Sequence, residues 1–377
     1  TSRWIRPELQ ANASGFYSNL LAVKAFWDAE LAAEGMMSLR LPATATTNGT
    51  WLAQQARFSF VRSMISRDGT WHPRYGVLPG YGVTLQDGFQ DVFTSTATAA
   101  LEWGSVPFAR GVIDNWLRYY VRDNGMVTYR AEELAQSGRM LTIFALYYST
   151  TGDAALLLEH WPRIHTHASW LLYRWRMAME DYPDASDARH GIVAGGDEGD
   201  TFIYFYETYG KAQPLGHKYS CHANVLRGFE DLGRVWHAIG SALAPGQGRS
   251  AMLAHAKELL AAAPQMRAQL QASLNKTTIA TRNNPRAPRC VPTGADPRPW
   301  GGGGAPPMPW GCYGDFRGYP ELMYSGELTR QQADDVYTQL MCAHASRATR
   351  RAHHTHARAH APTARARLRR SNAWQVW

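Results

Sequence analysis

The sequence predicts an all-α protein in which helical hairpins form an incomplete toroid with long loops on one rim. Apolar residues recur at helical spacing in about nine long segments, and strand signals are short and confined to loops. A glycine-marked turn follows every second helix, which indicates a repeat of paired helices. Val92–Leu101 and Met140–Thr151 contain no charged residue, which is typical of inner helices that are covered on all sides.

The predicted helices follow one another with short and long connections in alternation. They span Phe16–Glu34, Thr50–Arg67, Asp87–Trp103, Ser105–Arg122, Leu134–Thr150, Thr151 to about Met179, Tyr219–Ile239, Arg249–Leu274 and about Thr329–Cys342. The fourth helix is apolar on one face only. The fifth contains a single charged residue, Arg139.

The repeat is marked by Gly69, Gly125 and Gly191, which lie 56 and 66 residues apart. If the helices alternate between outer and inner positions, every glycine-marked loop joins an outer helix to the next inner one. These loops then lie at the same end of the toroid, beside the N-termini of the inner helices. Helix N-termini carry partial positive charge and favour anions, so we expect a functional site at this rim.

Several short motifs resemble the six-hairpin, (α/α)6 glycosidase superfamily over roughly Gly15–Cys342. They are Gly69-Thr70-Trp71, Leu78-Pro79-Gly80-Tyr81, Gln86-Asp87-Gly88-Phe89, Gly191-Ile192-Val193 and Gly318-Tyr319-Pro320-Glu321-Leu322. Most members of this superfamily are inverting glycoside hydrolases, and lyases, phosphorylases and epimerases occur on related toroids. The resemblance therefore implies a carbohydrate substrate.

The C-terminal part of the sequence departs from this pattern. Six hairpins need twelve helices, whereas apolar periodicity ends near His344. Residues 345–377 contain eight Arg and no acidic residue, and they read as a disordered, low-complexity basic tail. We expect a toroid domain over 1–344 that is truncated, with its last hairpin replaced by unrelated sequence; a functional basic arm is the alternative.

Charge and composition narrow the possible partners. The net charge of +8 equals the charge of the tail, so the rest of the chain is neutral and no nucleic-acid partner is expected. No apolar run is long enough to span a membrane. The four cysteines lack metal-like spacing, and we expect no metal and no cofactor, while one or two disulfides remain possible. The oligomeric state is open.

Three glycosylation sequons favour a secretory route slightly over the cytoplasm. Asn-x-Ser/Thr sequons begin at Asn12, Asn48 and Asn275. The first residue is Thr, as expected if the chain is processed or cut from a longer one.

The candidate catalytic residues are carboxyl groups on the rim. Asp197, Glu198 and Asp200 crowd a glycine-rich loop, where mutual repulsion raises the pKa of some of them if the loop is enclosed. Glycoside cleavage with inversion needs a protonated acid and an ionised base about 6.5–9.5 Å apart. We expect Glu198 or Asp197 to be the acid, with Asp200 as the third choice. Glu321, in the next long loop, is the predicted base, although the base can equally lie in the missing hairpin.

Other rim residues suit substrate binding. Trp71, Tyr81 and Trp310 could stack on sugar rings. Asp87 and Asp91, together with Asp200, could bind sugar hydroxyls. Helix capping or first-turn charge compensation explains Asp87 and Asp91 equally well.

Two alternative functions remain. A sugar lyase or epimerase on the same toroid would use His217 and His222 as proton carriers, because both flank the start of an inner helix. The other alternative is a non-catalytic α-solenoid that only binds.

Overall fold

The structure, a computed structural model, is mostly helical, which confirms the predicted all-α class. The residues that it describes are 13–33, 48–65, 67–68, 72–73, 90–127, 133–195, 216–246, 248–280, 289–296 and 318–338. The predicted tail at 345–377 lies outside these ranges.

Eleven helices and two small strand pairs are present in the described ranges. The helices are α1 (Ala13–Ala33), α2 (Gly49–Ile65), α3 (Gln90–Glu102), α4 (Val106–Tyr119), α5 (Leu134–Thr151), α6 (Ala155–Glu159), α7 (Trp161–Asp181), α8 (Tyr219–Ala242), α9 (Arg249–Thr277), α10 (Gly318–Ser325) and α11 (330–338). The strands form two antiparallel pairs, β1 (Arg67–Asp68) with β2 (His72–Pro73) and β3 (Ile279–Ala280) with β4 (Arg289–Cys290).

The predicted helices are confirmed within the described ranges, with two differences. The predicted sixth helix is interrupted at His160, where α6 ends and α7 begins. Pro162 explains the break, because proline lacks an N–H and is tolerated only in the first turn of a helix. The assignment of Glu321 to a loop was wrong, since this residue lies in the first turn of α10.

Alternate helices pack into a continuous row. In this row, which we call the inner row, α3 contacts α5, α5 contacts α8, and α8 contacts α10. Helix α4 packs on α3, and helix α9 packs on α8. Between Leu134 and Tyr147 only Arg139 and Leu146 of α5 are partly exposed. The helix with a single charge is therefore covered on nearly all sides, as its sequence predicts.

The helix α4 contributes one apolar face to the core. Its buried residues include Phe108, Val112, Ile113, Trp116 and Leu117. The indole of Trp116 stacks between the rings of Phe93 and Tyr120, with centroid distances of 4.4 and 4.3 Å. These stacked rings fix α4 against α3.

Two of the glycines that mark the repeat adopt positive φ angles. Gly125 has φ 83° and Gly191 has φ 69°, a conformation that L side chains rarely adopt. A Cβ atom at Gly125 would also lie 2.4 Å from the carbonyl oxygen of Thr166. Glycine is thus required at these turns by conformation, and at Gly125 by space as well. Gly69 lies outside the described residues.

The closest helix contact in the inner row joins α5 to α8. A Cβ atom built on Gly138 would lie 2.4 Å from backbone atoms of Asn224 and Val225. A Cβ atom on Gly228 would lie 2.5 Å from the Gly138 carbonyl oxygen. The two backbones touch because neither glycine carries a side chain.

The first helix differs from the inner row in its exposure. Phe16, Tyr17 and Leu21 of α1 are each more than 60% exposed. Leu20 and Val23 are also more than half exposed, so α1 presents several apolar side chains to solvent. No helix in the described ranges has the length and apolarity to cross a bilayer.

Cysteine pairing is partly defined. Cys290 on β4 is disulfide-bonded, and its partner lies outside the described residues. Cys221 is a buried thiol in the first turn of α8.

Replacing Gly138 by alanine should destabilise the protein. The added methyl group must push the α5 and α8 backbones apart, and overpacking of this kind costs on the order of 3 kcal/mol. Chemical denaturation monitored by circular dichroism measures the loss. Gly240→Ala on α8 is the matched control. The nearest atoms to its added Cβ would be side-chain atoms, those of Leu253 at 3.0 Å or more and of Met252 at 3.5 Å, which can move more easily than a backbone. Equal stabilities of the two variants would contradict a backbone contact between α5 and α8.

Candidate active site

The N-terminal ends of the inner row meet at one end of the protein. The hydroxyl of Thr94 on α3 donates to the side-chain oxygen of Gln136 on α5 at 2.7 Å. The Gln136 amide then donates to Oε1 of Glu321 on α10 at 3.0 Å. Asn224 on α8 donates to the backbone carbonyl of Glu321, also at 3.0 Å. The four inner helices are therefore connected through polar side chains at their N-terminal ends.

Glu321 lies at the centre of this network. Its Oε1 also accepts a hydrogen bond from Nη1 of Arg139 at 2.9 Å. Its Oε2 is buried and has no hydrogen-bond partner within the described part of the chain. The side chain as a whole is 17% exposed. One carboxyl oxygen is thus held by the protein and the other is left for a ligand or a proton.

Burial raises the pKa of the Glu321 carboxyl, and the positive charge of Arg139 and the bond from Gln136 oppose this effect only in part. Asp91, in the first turn of α3, adds to the increase through its negative charge. The predicted site residues Asp91 and Glu321 are therefore close enough to interact electrostatically.

Two guanidinium groups lie against the ring of Tyr324. The Cζ atoms of Arg139 and Arg227 are 4.3 and 5.1 Å from its centroid. Nη1 of Arg227 also donates to the Tyr324 carbonyl at 2.5 Å. These cation–π contacts hold α10 against both α5 and α8. Arg139 also places positive charge beside the Glu321 carboxyl.

Other buried polar groups at this end lack partners among the described residues. Asn224 uses its amide nitrogen, but its Oδ1 accepts no hydrogen bond. Gln90, in the first turn of α3, is 1% exposed, and neither of its amide atoms is bonded. A buried polar group without a partner costs about 1–3 kcal/mol, so each such group needs an explanation.

The remaining predicted site residues lie outside the described ranges. They are Trp71, Tyr81, Asp87, Asp197, Glu198, Asp200 and Trp310.

A histidine–aspartate pair lies just before α8. The backbone N–H of His217 donates to Oδ2 of Asp296 at 2.6 Å, and its Nδ1 donates to Oδ1 at 2.8 Å. The Tyr182 ring packs edge-on against the imidazole at 4.8 Å. Burial alone would raise the pKa of Asp296, but the hydrogen bonds from His217 outweigh it and lower this pKa. Asp296 thus fixes the orientation and tautomer of His217.

His222 is occupied by backbone contacts. Its Nε2 donates to the Met266 carbonyl at 2.9 Å, and its Nδ1 accepts from the Val193 N–H at 3.3 Å. Burial lowers its pKa to about 4. Because both ring nitrogens are used in holding α9 and the 192–193 segment to α8, this arrangement leaves no nitrogen to carry protons for a substrate.

Sequence reasoning did not select Gln136, Arg139, Asn224 or Asp296 as site residues. Arg139 carried the clearest signal, because it is the only charge in an otherwise apolar inner helix. Gln136, one turn earlier on the same helix, shares its face. Asp296 lies 79 residues from His217, and no local pattern links the two.

One group in the described ranges has metal-like geometry, formed by Asp114, Glu159 and His160. The guanidinium of Arg118 already bonds both carboxylates. His160 donates to Asp114 at 2.7 Å. Arg118 thus offsets one of the two negative charges, and because both carboxylates are already bonded within the protein, we do not assign a metal to this cluster.

No protein-family model, no curated protein and no solved structure matches this chain. The resemblance to six-hairpin glycosidases rests on the predicted repeat of helical hairpins and on the short sequence motifs.

His222→Gln should weaken the pH dependence of stability. Unfolded His222 takes up a proton near its ordinary pKa of 6.5, whereas the folded protein resists protonation until the pH approaches about 4. The free energy of unfolding therefore falls as the pH is lowered through this window, by on the order of 3 kcal/mol for this residue.

Urea denaturation at several pH values measures that slope. His237→Gln, which replaces an exposed histidine of the same helix, is the control and should keep the wild-type slope. An unchanged slope in His222→Gln would show that burial of this imidazole is not linked to folding.

Proposed function

We propose that this chain is a carbohydrate-active enzyme, an inverting glycoside hydrolase with Glu321 as one of its two catalytic carboxyl groups. The observation that carries the proposal is the buried Oε2 of Glu321, which has no partner among the described residues at the end where four helix N-termini meet. A sugar presents many hydroxyl groups, and such a ligand would also satisfy Asn224 Oδ1 and the Gln90 amide.

The packing supports an α/α toroid as the scaffold. Helices that alternate along the chain are neighbours in space, in the order α3, α5, α8 and α10. The exposed apolar side chains of α1 are what an inner helix would show if the ring lacked the hairpin that covers it. The toroid is thus proposed to be open beside α1.

The chemistry of Glu321 fits the proton-donating role better than the base role that the sequence suggested. Its raised pKa favours the protonated form, which can donate from Oε2 to the leaving glycosidic oxygen. The carboxylate that forms is then stabilised by Arg139 and Gln136 at Oε1. The opposing carboxylate, which activates water in an inverting mechanism, would come from Asp197, Glu198 or Asp200.

A sugar lyase or epimerase is a second candidate because of the His217–Asp296 pair. Asp296 holds Nδ1, and within the described residues Nε2 of His217 forms no hydrogen bond, so Nε2 is the atom that can take a proton. Proton abstraction next to a carbonyl or carboxylate is the step that such enzymes require.

Glu321→Gln should abolish hydrolysis while leaving the protein folded. Glutamine keeps an oxygen that accepts from Gln136 and Arg139, but it has no acidic proton, and loss of general acid catalysis reduces the rate by about 100- to 10,000-fold. Release of reducing ends from a panel of oligosaccharides measures the activity. Glu327→Gln is the matched control, because this neighbouring carboxylate pairs with Arg267 instead of lying in the site. Full activity of Glu321→Gln would refute its catalytic role.

His217→Gln separates the two candidate enzyme classes. In a hydrolase of the proposed kind this variant should keep most of the turnover, whereas in a lyase or epimerase it should lose nearly all of it. Ultraviolet absorbance detects the unsaturated product of a lyase, and chromatography detects an isomerised sugar. Oligosaccharide binding without turnover in the wild type would instead indicate a non-catalytic binding module.

A further inference from the structure

Two histidines pack against each other at the end of the protein away from Glu321. The imidazole of His165 on α7 and that of His255 on α9 have ring centroids 4.3 Å apart, with planes inclined by 60°. Trp161 lies against both rings, at 5.1 and 5.7 Å, and contacts Trp236 near the C-terminal end of α8. Since α8 rises by 1.5 Å per residue, Trp236 is about 18 Å along the helix axis from Asn224 in the candidate active site.

The hydrogen-bonding state of His255 is unusual for a buried imidazole. The residue is 3% exposed, and neither Nδ1 nor Nε2 has a hydrogen-bond partner among the described residues. A neutral imidazole always presents one N–H group and one lone pair, so its burial in this state is unfavourable. Two other fully buried histidines, His167 and His222, bond backbone groups through both ring nitrogens. His255 thus presents an N–H group and a lone pair that no described residue uses.

A carboxylate lies next to the pair. Glu258 is three residues after His255, on the same side of α9, and its charge acts on the His165 imidazole. It is about half exposed and at present bonds Arg176 at 2.6 Å. Recruiting this carboxylate to the histidines would require a change of rotamer that releases Arg176.

We propose that His165 and His255 form a two-imidazole binding site for a divalent transition metal of the Zn²⁺ or Cu²⁺ type, with Glu258 as a third ligand. Neutral imidazole suits these ions, whereas Mg²⁺ and Ca²⁺ prefer oxygen ligands. The partly exposed His165 provides the route of entry, and water would complete the coordination. The site uses outer helices α7 and α9, so metal binding would tie these two helices together.

The test is Zn²⁺ titration of the full chain after removal of metals with a chelator. Isothermal titration calorimetry gives the number of sites, and thermal unfolding reports stabilisation. The basic tail carries its own histidines, so the comparison between variants decides the result. His165→Ala removes a partly exposed ligand and leaves the core in place. His255→Leu removes two buried groups without partners, so it should fold with unchanged or higher stability.

The proposal predicts one Zn²⁺ site that is at least about tenfold weaker in both His165→Ala and His255→Leu. His237→Ala, an exposed histidine on α8, should bind like the wild type. Bound Cu²⁺ should show nitrogen hyperfine splitting in electron paramagnetic resonance that is lost in His255→Leu. An equal number and affinity of Zn²⁺ sites in the wild type and in both variants, or the absence of binding in the wild type, would overturn the proposal.

Discussion

The backbone contact between α5 and α8 is the constraint on which the rest of the structure depends. Gly138 and Gly228 let the two helices approach until the peptide backbone of one meets that of the other. Any side chain at either position would separate them and shift every residue that follows along the helix. Gln136 lies two residues before Gly138, and Asn224 lies one turn before Gly228; both residues hold α10. The position of Glu321 therefore depends on the absence of a side chain at both Gly138 and Gly228.

The same contact concentrates polar groups where the inner helices begin. Helix N-termini have N–H groups without intrahelical partners, and burying several of them together demands hydrogen-bond acceptors. Glu321, Gln136 and Asn224 supply side chains there, yet Glu321 Oε2, Asn224 Oδ1 and the Gln90 amide have no partner within the described residues. The large apolar core that α4, α5, α8 and α9 bury offsets the cost of these groups. Such unsatisfied groups in a well-packed protein indicate a place for a ligand.

Much of the fold could be predicted from the sequence, because it follows from local rules. Helical periodicity gave the long helices, and Gly125 and Gly191 marked turns that only glycine tolerates. The short helix α10 was missed because eight residues with Pro320 inside a glycine- and proline-rich stretch show no period. Pro162 divides the predicted sixth helix at His160, a break that apolar periodicity alone does not indicate. The residue pairs of the site could not be predicted from the sequence, because Glu321 bonds Arg139 across 182 residues and His217 bonds Asp296 across 79. Such pairs are created by packing, and no local pattern encodes them.

The pKa of the Glu321 carboxyl is the measurement that tests this account most directly, and it requires no substrate. Carbon-13 nuclear magnetic resonance titration of the side-chain carboxyl, assigned by its loss in Glu321→Gln, gives the value. If burial dominates at the junction of the inner helices, the pKa lies above the ordinary glutamate value, and Glu321 can hold a proton for catalysis. If the measured pKa is at or below that value, the ion pair with Arg139 dominates. Glu321 would then be a structural anchor for α10, and the candidate active site would lose its proton donor.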